Sequence, residues 1–403
     1  GPVSLPQLIE SENDFLKTFG KPYSIDKHYE HWMVASSYLA YGGTMRIVRA
    51  DDSALKNAFV GTASSIKIKS EEHYNQLGYD ENTITGVTVA AKNPGTWANG
   101  IKVAILDSKV DQIITVPDTS VVAVGYGFTV GLTTTFPGNG TTSTISGYLK
   151  GVVVGKGSST VDLKITSFVS GSTETAVDYQ QNGIYKVPNS GTISLHNASS
   201  TPTLTTSITS QKDWFDDQSI TLANGSTIAW NSIANRPQTS SYAAARSSRF
   251  DEVHVVVIDD LGTITGNAGT ILEKWLGLSK ASDAEYSVGS TSYWRKYLLT
   301  NSQYIFGGRT PTGYVATGFN IANQASFTLA TDILWDQEAQ DTIFAGIGNS
   351  VTTLAGGKDY GGKTDLTTSG ALTPGLDDII SGYTIFDNAE DYKVDFKIGR
   401  AHV

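Results

Sequence analysis

The residues that could carry out chemistry are few and stand apart along the chain. The sequence has six histidines and no cysteine, which excludes thiolate metal ligands and a cysteine nucleophile. His28 and His31 could share a helix face, but no third ligand lies near them, and no HxH or HExxH pattern occurs. Ordinary surface or core packing explains both histidines better, and we expect no metal site.

Two pairs of adjacent carboxylates, Asp259-Asp260 and Asp377-Asp378, are the next candidates. Paired carboxylates can act as general acid and base when both face one substrate. Neighbours on a helix point apart, however, and a turn or a helix N-terminus accounts for each pair. We therefore expect no catalytic residue at either position.

Two glycine patterns resemble nucleotide-binding loops. Residues Gly125–Gly131 resemble a dinucleotide fingerprint with one residue too many, in a strand-rich region without the helix that the motif requires. Residues Gly151–Ser158 resemble a P-loop that is one residue short and lacks the adjacent Lys-Ser/Thr pair. Turns of a β-structure explain both patterns, and no Gly-x-Ser-x-Gly nucleophile elbow occurs. We expect no bound cofactor.

The sequons at Asn139 and Asn224 indicate nothing without a sign of secretion. Four scattered tryptophans fit core or interface anchors better than sugar platforms: Trp97, Trp214, Trp230 and Trp275. The sequence thus predicts no catalytic, cofactor-binding or metal-binding residues, and no enzyme.

Composition limits the classes of partner. The net charge of -10 and the pI near 5.1 argue against a nucleic-acid groove or an anionic membrane surface. No window approaches 18 consecutive apolar residues, and residues 1–10 lack a basic segment followed by an apolar core. We therefore expect neither a transmembrane helix nor a signal peptide.

The elements that must position any site fall into three zones. Residues 1–107 mix helix and strand. Residues Asp14–Phe19 predict a short helix that ends at Gly20. A second helix, Tyr29–Tyr41, places Trp32, Ala35, Ser36 and Leu39 on one face, and Thr44–Ala50 alternates as a strand.

Residues 108–212 are different in kind, because short runs of Val, Ile and Thr alternate with Gly, Asn, Pro and Ser clusters. This pattern is typical of a small all-β sandwich or barrel. The predicted strands lie within Ile113–Val116, Val121–Val130, Thr144–Val154, Val161–Val169 and Leu204–Ile208.

Residues 213–397 return to mixed α/β structure. The run Glu252–Ile258 predicts a strand buried on both faces. Residues Ile271–Leu278 predict a helix, with Leu272, Trp275 and Leu276 on one face. A last helix is expected to begin with Thr373 as N-cap and Pro374 in its first turn. Its predicted apolar face consists of Leu376, Ile379, Ile380 and Tyr383.

The expected fold class is therefore α+β, a mixed α/β core domain with an inserted all-β domain that is sandwich- or barrel-like. Residues 1–107 and 213–397 would form the core, and residues 108–212 the insertion. The last six residues, Ile398–Val403, match one reading frame of a common sequencing adapter, so we expect them to be an artefact that resequencing would reveal.

Several segments resemble the tail sheath proteins of contractile-tail bacteriophages, of the T-even-like and cyanophage type. The resemblance rests on Asn13–Pro22, Trp32–Ala50 and a preceding Gly1-Pro2. It continues in Asn93–Val103 and in the stretch Glu252–Asp283, whereas residues 108–212 match nothing in that family. The resemblance implies that the chain is a piece of a sheath subunit, without the family's N-terminal and C-terminal arms.

That resemblance implies a virion protein assembled in the host cytoplasm. Its partners would be other copies of itself, the tail tube protein, and the baseplate and terminator proteins. Subunits of the family stack around a tube and contract to drive it through the host envelope. Their arms add strands to neighbouring subunits, so this piece is expected to fold but to polymerise poorly. Two alternatives stay open, namely a sheath from a non-viral injection machine and an adhesive, carbohydrate-binding β-protein.

Overall fold

The computed structural model describes residues 1–77, 86–135, 144–177, 186–197, 200–246, 248–308, 318–323, 326–330, 343–344, 346–388 and 390–393. Its strands are β1 Gln7–Ile9, β2 Met45–Ile47, β3 Phe59–Gly61, β4 Val87–Ala91, β5 Ile101–Asp107, β6 Gln112–Thr115, β7 Gly127–Thr135, β8 Thr144–Lys156, β9 Thr160–Ser170, β10 Thr173–Ala176, β11 Gly191–Asn197, β12 Ser200–Ile208, β13 Ser210–Asp213, β14 Ser219–Thr221, β15 Thr227–Ala229, β16 Glu252–Asp259, β17 Thr270–Ser279, β18 Glu285–Ser287, β19 Ser290–Thr291, β20 Ile305–Gly307, β21 Gly318–Asn323, β22 Ser326–Ala330, β23 Ile343–Phe344 and β24 Asn349–Thr353. Its α-helices are α1 Glu12–Phe19, α2 His28–Ala40, α3 Glu71–Gln76, α4 Ser241–Ala244, α5 Trp294–Asn301 and α6 Leu376–Thr384. The chain is thus a mixed α+β protein in which strands predominate.

The central element is a four-stranded antiparallel sheet in the order β17-β16-β5-β24. All residues of β5 and all but the first of β16 are buried. Val103 and Val255 face one apolar cluster, whereas Ala104 and Val256 face another on the opposite side. This confirms the strand buried on both faces that the run Glu252–Ile258 predicts.

Every strand of a second, eight-stranded sheet lies between residues 112 and 213, and the sheet curls into a half-barrel. Its order is β12-β11-β7-β8-β9-β6-β13, with β10 paired to β9. Phe128, Leu149, Leu163 and Leu195 fill its own apolar core. The predicted runs fall on its strands, except that Val121–Val130 becomes a strand only at Gly127.

The two sheets pack on one another. Val152 and Val154 of β8 share an apolar cluster with Leu106 of β5, Val256 of β16 and the fully buried Trp230. The curled sheet is therefore in contact with the central sheet over an apolar surface. The boundaries at 107 and 212 stay predictions.

The two N-terminal helices form as predicted. The Ser11 hydroxyl accepts the Asp14 N–H at the start of α1, and Gly20 ends the helix with φ of 86°. Trp32 of α2 stacks on Phe15 with ring centroids 5.1 Å apart. The following strand is shorter than predicted, since only Met45–Ile47 pair with β1.

The helix predicted for Ile271–Leu278 is wrong, because these residues form most of β17, antiparallel to β16. Two irregularities in the register each add a residue to β17, one at Leu272 and one near Gly277, whose φ is 65°. Each extra residue shifts, by one position, the alternation of side chains between the two faces of the sheet. The apolar spacing of the strand therefore imitates that of a helix.

The last helix is placed correctly, but its predicted start is wrong. It begins at Leu376, with Gly375 rather than Thr373 as N-cap. None of its residues is buried, and Leu376 and Ile380 are 58% and 50% exposed. Residues Ile398–Val403 lie outside the described residues. Among the described helices, none is long and apolar enough to cross a membrane.

Candidate functional site

A large groove of about 1780 Å³ lies between the N-terminal helices and the C-terminal helix. The helices α1, α2 and α6 contribute to its lining, together with β2 and residues 364–366 and 372–374. The elements that surround it come from both ends of the described chain, and residues within 93–99, 263–264 and 303–304 complete the lining.

The strand β2 lies along this groove. It pairs with β1 on one side, and no other strand in the described part of the chain pairs with it. All seven residues from Thr44 to Ala50 line the groove. A two-stranded ribbon is marginally stable by itself, and an open edge can receive a further strand.

The helices beside the groove expose apolar side chains. In α2, Trp32 and Leu39 are buried, yet Tyr29 and Met33 are 45% and 52% exposed. A helix with apolar residues on both sides is typical of a buried helix. In α6, Ile379 and Tyr383 line the groove while Leu376 and Ile380 are exposed. Both helices thus offer surface that a partner could cover.

The groove is more basic than the rest of the molecule. Five basic residues and three acidic residues line it, namely Lys17, Lys21, Arg46, Arg49 and Lys393 against Asp26, Asp359 and Asp365. The chain as a whole carries a net charge of -10. The groove therefore attracts an acidic partner more strongly than the remaining surface does.

His28, one of the two histidines that line this groove, has a structural role. The His28 Nδ1 accepts the Tyr23 N–H at 3.1 Å. Burial, and then the nearby charge of His31, lower the pKa of His28, which keeps that ring neutral near pH 7. Among the described residues, no group of three or more His, Asp or Glu side chains could hold a metal ion.

The acidic pairs lie at a turn and at a helix N-terminus. The Asp259 carboxylate accepts the N–H groups of Ile264 and Thr265. Burial alone would raise the pKa of Asp259, but these hydrogen bonds outweigh it and lower the pKa. Asp260 forms an ion pair with Lys102 at 2.8 Å, and Asp378 accepts the N–H of the α6 N-cap. Each carboxylate of these three stabilises local structure.

The glycine patterns belong to the curled sheet. Gly125, with φ of 92°, lies in a turn that leads into β7, and Gly151 lies inside β8. The Gly157 N–H donates to the Thr160 carbonyl in the turn between β8 and β9. Asn224 lies in the turn between β14 and β15, and Asn139 falls outside the described residues.

Two buried ion pairs lie at the junction of the sheets, and neither was predicted from the sequence. Lys280 and Asp107 are 3.0 Å apart with both side chains fully buried. Lys164 and Asp111 are also 3.0 Å apart, and the Lys164 ammonium lies 3.6 Å from the Phe250 ring centroid. Burial lowers the pKa of Lys164 to about 8. The sequence signal that could have indicated the second pair is the position of Lys164 between the apolar residues Leu163 and Ile165.

Comparison with protein-family models, curated proteins and solved structures gave no match. Function is therefore inferred from the groove, from the exposed apolar helices and from the sequence resemblance.

Proposed function

We propose that this chain is a structural subunit of a phage contractile tail sheath, which polymerises around the tail tube and contracts to drive it through the host envelope. The observation that carries the proposal is the groove, where an open strand edge lies beside two helices with exposed apolar residues. The segments that resemble sheath proteins, Asn13–Pro22 and Trp32–Ala50, contribute much of its lining.

The proposed occupant is an extended segment of a second copy of this chain. Main-chain hydrogen bonds to β2 would supply affinity, and the groove-lining apolar residues Val34 of α2 and Ile379 and Tyr383 of α6 would be covered. The groove is basic and the chain is acidic, so a second copy fits its charge. A contact between two different surfaces of identical subunits generates a helical assembly when the rotation between neighbours does not close into a ring.

Contraction requires two alternative sets of contacts between rigid subunits. A difference of a few kcal/mol per subunit becomes decisive when many subunits change together. The energy would be stored during assembly, without a nucleotide and without catalysis. The remaining partners in this proposal are the tail tube, the baseplate and the terminator proteins, in a virion assembled in the host cytoplasm.

The proposed domain organisation has a core from residues 1–107 and 213–397 and an outward-facing insertion at 108–212. Its support is that the first and last strands of the curled sheet are neighbours, with Gln112 opposite Asp213. The chain therefore enters and leaves the curled sheet at neighbouring positions.

The test is negative-stain electron microscopy of the purified product of the complete reading frame. We expect hollow tubes with helical striations. The substitution Lys17→Glu, at an exposed residue of the groove, should reduce tube formation at least tenfold because it reverses a charge there. The matched control is Lys296→Glu, the same change at an exposed lysine of α5 that does not line the groove.

Discrete monomers at every salt and protein concentration would contradict the sheath proposal and favour the adhesive alternative, which glycan binding would then test. Equal loss of tubes in both variants would contradict the assignment of the interface to this groove.

A further inference from the structure

The helix α6 is held only loosely against the groove. None of its nine residues is buried, and those that line the groove, Ile379, Gly382 and Tyr383, are half-buried. Elements with few buried apolar contacts open at low free energy. This helix is therefore a part of the groove wall that can move at low cost in free energy.

A carboxylate from the other side of the groove fixes the segment that leads into α6. Asp26 accepts the Gly370 N–H at 2.9 and 3.1 Å and the Leu372 N–H at 3.0 Å. Ala371, between these two residues, is fully buried, and its carbonyl accepts the Tyr360 N–H at 3.3 Å. The base of α6 is thus anchored at Ala371 and oriented by Asp26.

The Asp26 side chain projects from a strained turn. Asp26 and Lys27 both adopt left-handed backbone conformations, with φ of 51° and 56°, immediately before α2. Such conformations are unfavourable for residues other than glycine and persist where surrounding contacts enforce them. The Tyr29 N–H donates to the Tyr23 carbonyl at 2.9 Å and closes this turn. Strain is therefore located where the contact with the α6 segment is made.

We propose that α6 is a movable strap along the groove and that Asp26 is its latch. With the latch closed, Ile379 and Tyr383 occupy one wall of the groove. With the latch open, the strap moves aside and the groove can admit an incoming segment, while Asp26 and Lys27 can leave the left-handed region. The incoming segment rests on the proposed function, but the motion of the strap does not.

The test is hydrogen–deuterium exchange with mass spectrometry on the 403-residue chain, kept monomeric by dilution. Asp26→Gly removes the carboxylate but tolerates the left-handed conformation. We expect amide exchange within residues 376–384 to become at least tenfold faster, with exchange in β5 and β16 unchanged. Asp26→Asn keeps one acceptor oxygen and tolerates the same conformation. Its amide exchange rate in α6 should therefore lie between those of the wild type and the Asp26→Gly variant.

The matched control is Lys27→Gly, the same type of substitution at the neighbouring left-handed position. It keeps the latch, so exchange in α6 should stay as in the wild type. Unchanged exchange in α6 of the Asp26→Gly variant would overturn the latch. Equal acceleration in α6, β5 and β16 would also overturn it, since Asp26 would then stabilise the whole fold. Because the measurement uses monomers, a failure of tube assembly leaves this result unaffected.

Discussion

The central sheet and the curled sheet differ in how far apart their strands lie along the chain. Every strand of the curled sheet lies within residues 112–213, and most of its neighbouring strands are joined by short connections. The four strands of the central sheet begin at residues 101, 252, 270 and 349. The curled sheet therefore depends on local chain, whereas the central sheet needs segments from both sides of it.

This difference shows in how each sheet is stabilised. The curled sheet has its own apolar core, around Phe128 and Leu163. The central sheet is covered on both faces, and part of one face is covered by the curled sheet itself. The curled sheet is therefore formed by one continuous stretch of chain, but its packing is not separate from that of the central sheet. Three measurements separate these two properties.

The largest effect is expected from removing the curled sheet. Replacing residues 110–212 with a short linker should leave a core that unfolds cooperatively, because Gln112 and Asp213 are opposite each other and a short linker can span the gap. Its melting temperature should fall markedly, since Trp230 and Val256 lose contacts with Val152 and Val154. Calorimetry measures both quantities. Loss of the cooperative transition would show that the two sheets are one folding unit.

The next effect concerns the fully buried ion pair. Lys280→Met leaves the Asp107 carboxylate buried beside the backbone N–H groups of Ile347 and Gly348, without its cation. We expect the free energy of unfolding to fall by about 3–5 kcal/mol, measured by urea denaturation. Lys212→Met is the matched control, because the Lys212–Asp217 pair is exposed and its loss should cost about 0–1 kcal/mol. Similar losses in both variants would contradict this account.

The smallest effect is a change in pH dependence. The pKa of Lys164 is about 8 in the folded chain and 10.5 in its ordinary state. Between these values the unfolded chain binds more protons, so this group makes the free energy of unfolding rise as pH increases from 8 to 10.5. Over the whole window the rise is about 3 kcal/mol. Lys164→Met should therefore give a flatter slope in urea denaturation at several pH values, and an unchanged slope would refute the shifted pKa.

Short-range patterns in the sequence predicted the helices α1 and α2 and the strand β16. The terminating Gly20 and the spacing of Trp32, Ser36 and Leu39 sufficed for α1 and α2, whereas the N-cap Ser11 became evident only from the structure. A continuous apolar run sufficed for β16. The strand β17 was missed because its two extra residues broke the alternation on which strand prediction depends.

The groove could not be predicted, because it depends on contacts between residues far apart in sequence. Asp26 contacts Gly370 across 344 positions of the chain, and no periodicity signals such a contact. The apolar face of α6 was recognised, but a pattern cannot show whether a face is covered within the same chain. The exposure of Leu376 and Ile380 became evident only from the structure.

The pairing of β24 with β5 has a consequence for synthesis on the ribosome. Asn349 lies opposite Leu106, so this second partner strand of β5 is made about 240 residues later. At roughly 5–20 residues per second, this delay lasts roughly ten to fifty seconds. The whole curled sheet is translated within that interval. A nascent chain therefore carries the residues of the whole curled sheet while this edge of β5 is still unpaired, and an unpaired edge can pair with another chain.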